Sequence, residues 1–155
     1  MRKKDAKAPR DLKRHDDWPS RLLALVAERR DRAFAWGRHD CALFACDAVR
    51  TMTGVDPAKS LRGTYRSALG ARRALKEHAG GGLTATARKI AKVHGCAEVP
   101  VLLARRGDLA IVETDIPGGK RVLSLGVVIG ENVMVPGVDS IVAVPLAEAR
   151  RAWRI

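Results

Sequence analysis

The spacing of apolar residues divides the chain into a helical first part and a β-rich second part. Apolar positions recur at helical intervals after Pro19, in residues 41–52 and in two further segments, 64–78 and 84–94. From Leu109 onward, short β-branched runs bounded by glycine and proline predict strands over residues 109–113, 122–129, 132–135 and 141–144. Helices followed by an antiparallel sheet predict an α+β fold. For residues 145–155 we predict a short helix.

Residues 41–52 are the least polar of the helical segments, which predicts a central, buried helix. Asp40 precedes this segment as a candidate N-cap, and Gly54 follows it as a stop signal. Thr84 is the candidate cap of the last helical segment.

The 155 residues suffice for one core, and we predict a basic arm (residues 1–17) followed by a single domain (residues 18–155). No apolar run approaches the length of a membrane-spanning helix. The arm is too poor in apolar residues to fold alone. Its seven cations are Arg2, Lys3, Lys4, Lys7, Arg10, Lys13 and Arg14.

The net charge of +12 favours acidic partners. Nucleic acid, anionic cell-envelope polymers and an acidic protein surface all fit this charge, and so does a merely solvated basic surface. Because no aromatic residues are interleaved with the basic clusters, the sequence gives no support for a stacking platform for single-stranded nucleic acid.

Three cysteines without a CxxC pair argue against a disulfide framework and against a zinc ribbon. His39, Cys41 and Cys46 have no common zinc spacing, and a fourth ligand is not apparent. We therefore predict no metal and no cofactor, and we assign Cys46 to the core.

Cys41 occupies the first turn of the predicted central helix, where the helix dipole and free N–H groups lower the pKa of a thiol. The segment Trp36-Gly-Arg-His-Asp-Cys-Ala-Leu-Phe44 resembles the Asp-Cys-Ser-Gly-Phe/Leu motif of NlpC-type papain-like peptidases and amidases. Gly107-Asp108 and Ser124-Leu-Gly-Val-Val-Ile-Gly130 are similar to segments that open and form core strands in that family. The resemblance implies a papain-like fold with Cys41 at the nucleophile position.

The sequence departs from that family at the general base. Ser124 stands where the resemblance places the histidine, and the third, orienting residue would fall near Met134-Val-Pro136, where no side chain can orient an imidazole. All four histidines precede the predicted sheet. Acyl transfer needs a proton donor for the leaving amine, so we expect Cys41 to be inert and Ser124 to be non-catalytic.

The Trp-Gly-x-x-Asp-Cys motif, Gly54-Val-Asp-Pro-Ala58 and Ala152-Trp-Arg-Ile155 also resemble a group of small phage tail-associated proteins. This resemblance implies a non-catalytic structural component of a tail tip or baseplate hub, made in the host cytoplasm and located in the virion tail. Its partners would be other tail or baseplate proteins, bound through the basic arm. Two alternatives remain open: a cysteine-dependent peptidoglycan endopeptidase or amidase for cell-wall penetration, and a basic DNA-binding accessory protein.

Overall fold

The computed structural model describes residues 13–155, which form four helices and a six-stranded antiparallel sheet. The predicted α+β class is therefore confirmed. The helices are α1 (Trp18–Arg29), α2 (Cys41–Thr53), α3 (Ala68–Ala79) and α4 (Leu83–Val93). The strands are β1 (Glu98–Val99), β2 (Leu109–Ile116), β3 (Lys120–Ile129), β4 (Asn132–Pro136), β5 (Ile141–Pro145) and β6 (Arg151–Trp153).

Helix α2 is the central element of the core, as its low polarity predicts. It begins at Cys41, directly after the Asp40 cap, and ends at Gly54, whose φ of +76° is a left-handed conformation that glycine adopts without steric cost. Ten of its thirteen residues are buried, and it packs against α1 and β3. The start of α2 is therefore held at the sheet by its own capping signals and by core packing.

The strands lie in the order β1-β6-β2-β3-β4-β5. β2 and β3 form a long hairpin in which Val112 lies opposite Ser124. Gly126 allows β4 to approach β3, because a Cβ there would lie 2.6 Å from the carbonyl oxygen of Met134. Leu125 and Val127 of β3 pack with α2, whereas Val128 belongs to a second apolar cluster that includes Cys41.

Two local predictions are wrong. The segment predicted as a short C-terminal helix instead forms a 3-10 turn (Leu146–Glu148) and strand β6, because its backbone pairs with β2 and β1 on both sides. Thr84 does not cap α4: the helix begins at Leu83 after Gly82, with no side-chain cap.

Part of the predicted basic arm lies against the domain. The Arg14 guanidinium donates to the carbonyl oxygen of Ile155, lies 3.6 Å from an Asp108 oxygen, and stacks over Trp18. Arg14, expected to contact a neighbouring protein, is thus bonded within its own chain. The other arm cations except Lys13 (Arg2, Lys3, Lys4, Lys7 and Arg10) lie outside the described residues. Within residues 13–155, no helix is long and apolar enough to cross a membrane.

Candidate functional site

A cleft of about 230 Å³ lies at the N-terminal end of α2, with Cys41 in its wall. The cleft is lined by residues of α3, of the start of α4 and of the far end of the β2–β3 hairpin. Its walls are largely apolar, and they include Ala71, Leu75 and Val122. The cleft places the predicted nucleophile position at a cavity, which makes it the candidate site.

A larger depression, of about 570 Å³, lies between α1 and α2, away from Cys41. Two of its charged side chains neutralise each other, since Arg29 donates to Asp47 at 2.9 Å. No cysteine lines it. Although it is smaller, the Cys41 cleft is the candidate site, because its lining includes a cysteine thiol.

The Cys41 thiol is protonated at neutral pH. Its residue is only 7% exposed, and burial raises the pKa of the thiol to about 11. Hydrogen bonds from the Leu125 backbone and the Ser124 side chain act in the opposite direction, while the Asp40 charge raises the pKa further. The expectation that the helix start lowers this pKa is therefore wrong, because desolvation outweighs the helix-end contribution.

Ser124 lies beside Cys41, but its hydroxyl has a second partner. It is 1% exposed, and its Oγ shares a 2.5 Å hydrogen bond with Thr114 Oγ1 on β2. The sequence analysis missed Thr114. The alternation of Val112, Thr114 and Ile116, all buried, marks it as an inward-facing polar residue of β2.

The segment that would supply the third, orienting residue forms strand β4. Val135 and Pro136 are buried, and Met134 is half-buried. None of these three side chains offers a hydrogen-bonding group to an imidazole. The polar partner of Ser124 therefore comes from the preceding strand, β2, rather than from the following one.

None of the four histidines lines the cleft. His15 lies against Gly54, at the opposite end of α2. His78 shares a hydrogen bond with Ser60 at 2.9 Å, and His94 follows the last turn of α4. These three imidazoles therefore lie away from the N-terminal end of α2, where Cys41 is located.

His39, two residues before Cys41, points to a different environment. It is 1% exposed, and its ring meets the Phe44 ring edge-on at 6.0 Å between centroids. Burial, together with the charges of Arg29 and Arg32, lowers its pKa to about 4. Neither ring nitrogen has a hydrogen-bond partner within residues 13–155. His39 is thus a neutral core residue at physiological pH.

Asp40 fixes the loop that leads into α2. Its Oδ1 accepts a hydrogen bond from the Leu43 backbone at 3.0 Å, which confirms the predicted N-cap. Its Oδ2 accepts from the Gly37 backbone at 2.9 Å and from the Tyr65 hydroxyl at 2.7 Å. One carboxylate therefore joins the Trp36-Gly37 loop, the start of α2 and the segment before α3.

Gly37 packs closely against the Tyr65 backbone, and both residues donate hydrogen bonds to Asp40. Gly37 has a φ of +76°, and a Cβ on it would lie 2.0 Å from the Tyr65 carbonyl oxygen. Burial, followed by the adjacent Asp40 charge, raises the pKa of the Tyr65 hydroxyl well above its ordinary range, so that it acts only as a hydrogen-bond donor here. The sequence analysis did not identify Tyr65, whose contact with Asp40 spans 25 positions.

The two cysteines among the candidate metal ligands lie in different clusters of the core. Cys46 is fully buried in the α2 core cluster, whereas Cys41 packs with Ala110 and Val112 in the second cluster. Within residues 13–155, no group of three or more His, Cys, Asp or Glu side chains is arranged to hold a metal ion. Cys46 is a core residue, as predicted.

The comparisons with known proteins give a family without an assigned activity. No curated protein and no solved structure matches the chain. Residues 13–155 match the family described as "Domain of unknown function (DUF6950)". Because the match includes every residue that the structure describes, the chain belongs to the DUF6950 family.

Proposed function

We propose that this protein is a non-catalytic structural component of the tail tip or baseplate hub of a phage or phage-like particle, built on a degenerate papain-like fold. The observation that carries the non-catalytic part is the protonated, buried Cys41 thiol beside Ser124. The papain-like fold is supported by the resemblance of the Cys41 segment to the NlpC-type motif, and the tail location by the resemblance of that segment and of residues 152–155 to small phage tail-associated proteins.

The arrangement of α2 against β3 supports the papain-like reading. Cys41 begins a buried helix, this helix packs on the sheet, and Ser124 lies on β3 within reach of the thiol. A papain-like enzyme would use the same arrangement with an imidazole at position 124. The two sites thus share the positions of the cysteine and of residue 124, but a serine at position 124 cannot transfer a proton as an imidazole does.

A cysteine hydrolase needs a thiolate and a proton donor for the leaving group, and this site supplies neither. General acid–base help contributes about 10²- to 10⁴-fold to such reactions. A serine hydroxyl shared with Thr114 does not titrate near neutral pH and cannot replace an imidazole. The peptidoglycan-hydrolase alternative therefore has less support than the structural role.

We expect Cys41 to react with iodoacetamide about 100-fold more slowly at pH 8 than N-acetylcysteine does, because a pKa of about 11 leaves a correspondingly smaller thiolate fraction. Cys41 and Cys46 share one tryptic peptide, residues 39–50, so fragment-ion spectra of that peptide give the rate at Cys41 separately from the rate at Cys46. Ser124→His is the matched variant: an imidazole beside the sulfur should lower the pKa of the thiol and raise the rate at least tenfold. A wild-type rate equal to that of N-acetylcysteine would contradict the proposal.

The particle assignment has its own test. Tailed particles from a host that encodes this chain are purified on a density gradient, and their proteins are quantified by mass spectrometry. We expect this chain in the particle fraction at a constant ratio to other tail proteins. Its presence in the lysate together with its absence from intact particles would overturn the tail location. Release of wall fragments from purified peptidoglycan by wild type but not by Cys41→Ala would instead establish the hydrolase.

A further inference from the structure

The α3–α4 region carries an excess of exposed positive charge. Between Arg66 and Lys92 the chain carries seven Lys or Arg and a single acidic residue, Glu77. All seven are exposed, and none forms an ion pair with an acidic side chain within residues 13–155. Ten arginines elsewhere in the described chain are paired, for example Arg62 with Asp47 and Arg151 with Glu98. Seven further exposed cations outside this region also have no acidic partner within residues 13–155: Lys13, Arg30, Arg38, Lys59, Arg105, Arg106 and Lys120. The segment from Arg66 to Lys92 therefore carries a local excess of positive charge, with seven cations against one acidic residue.

On α3, the cations lie beside the Cys41 cleft. Arg72 lines the cleft itself, and Arg73 and Lys76 are exposed on the same helix. Lys120 lines the cleft from the β2–β3 hairpin. The cleft therefore has apolar walls and two cations in its lining, one from α3 and one from the hairpin.

The size of the cleft limits what can enter it. Its volume of about 230 Å³ is smaller than the roughly 300–1,000 Å³ typical of sites for drug-sized ligands. One apolar side chain of a protein fits such a space, whereas the flanking main chain would run over the rim. There it would meet Arg72 and Lys120, which complement acidic neighbours of the inserted residue.

We propose that this cleft binds an extended acidic segment of a neighbouring protein, with one apolar side chain inserted beside Cys41. The proposal rests on the proposed non-catalytic role, because a segment held beside a competent nucleophile would be cleaved. Arg72 and Lys120 hold the acidic residues of the segment, and the apolar walls bury its anchor residue. An apolar centre with a charged rim is the usual composition of a protein interface.

The apolar cleft favours a protein segment over nucleic acid. A nucleic-acid backbone requires a row of phosphate-binding cations but offers no aliphatic side chain for the space between Ala71 and Val122. Leu123, on the hairpin side of the cleft, is 44% exposed and extends the apolar surface to the rim. A duplex would leave this apolar surface uncovered.

The experiment is a positional scan of fluorescein-labelled peptides in which one variable residue is flanked by three glutamates on each side. Fluorescence anisotropy at low salt should give tightest binding with Leu, Ile, Met or Phe at the central position, and at least tenfold weaker binding with Ser or Gly. In Ala68→Trp, a bulky side chain from the exposed first residue of α3 fills the cleft, and discrimination at the central position should disappear.

Charge-reversal variants distinguish binding in the cleft from non-specific electrostatic attraction. Combined Arg72→Glu and Lys120→Glu should weaken the best peptide about tenfold or more, whereas Arg73→Glu, on the same helix but not in the cleft wall, should weaken it less than threefold. Circular dichroism and Tm establish that each variant is folded. No binding, or binding that is independent of the central residue, overturns the proposal. If a DNA duplex displaces the peptide equally well from the wild type and from Ala68→Trp, the cations bind nucleic acid instead.

Whether the peptides are recovered intact or cleaved tests the proposed function separately from this inference. Intact peptides after the assay leave the non-catalytic role in place, whatever the affinities are. Cleavage that disappears in Cys41→Ala would remove the non-catalytic role while leaving the cleft as a peptide site.

Discussion

Asp40→Ala is expected to lower the free energy of unfolding by about 4 kcal/mol, the largest effect of any single substitution around the site. The change removes the α2 cap, which contributes about 1 kcal/mol, and leaves two further donors without their acceptor. These donors are the Gly37 backbone N–H and the Tyr65 hydroxyl. Urea denaturation followed by circular dichroism measures the loss.

Tyr65→Phe is the matched control for this prediction. It removes only the hydroxyl contact to Asp40 at 2.7 Å and keeps the aromatic ring, so a loss of about 1–2 kcal/mol is expected. In the double variant, the two losses should be clearly less than additive, because the same hydrogen bond is removed by both changes. A loss below 1 kcal/mol for Asp40→Ala would show that the carboxylate does not hold the loop.

The second large effect is a loss of stability in mild acid caused by His39. The pKa of its imidazole is about 4 in the folded protein and about 6.5 in an unfolded chain. As the pH falls through this window, the unfolded chain takes up a proton that the folded protein does not, so stability falls from its full value above pH 6.5. The shift corresponds to about 3 kcal/mol lost by pH 4.

The pH dependence is assigned to His39 by substitution. In His39→Gln, most of the dependence of the free energy of unfolding on pH between pH 6.5 and pH 4.5 should disappear. His78→Gln is the control: burial also lowers the pKa of His78, but this residue is partly exposed and bonded to Ser60, so its removal should leave most of the slope. An unchanged slope in His39→Gln would mean that the folded protein does not keep the His39 imidazole neutral.

The parts of the fold that were predicted correctly depend on local signals. The α2 boundaries follow from Asp40 and Gly54, two residues whose capping roles need no information from elsewhere in the chain. The four predicted strands lie within β2 to β5, where β-branched residues and turn glycines coincide.

The errors fall where distant partners decide the structure. Residues 151–153, with alanine and arginines beside a tryptophan, have the composition of a helix end, but two neighbouring strands supply their hydrogen bonds. Strand β1 has only two residues and no pattern of its own, so it was not predicted.

Only the positions of two candidate residues could be predicted from the sequence. Cys41 lies at the start of α2 as expected, and Ser124 lies on a predicted strand. The sequence analysis missed Thr114 and Tyr65, because a strand-to-strand contact and a loop contact bring them there. The raised thiol pKa also could not be predicted, since it depends on how completely the surrounding core excludes water.

The position of β6 in the sheet has a consequence for the order in which the domain assembles. Among the strands that the structure describes, β1 is hydrogen-bonded only to β6, and β6 in turn pairs with β2, where Leu109 lies opposite Trp153. β1 therefore has no template until β6 has paired with β2, from which it is separated in sequence by residues 117–150 with β3 to β5, a slow type of step in folding. In native-state hydrogen exchange, the backbone amides of β1 should open together with those of β6, as one cooperative unit.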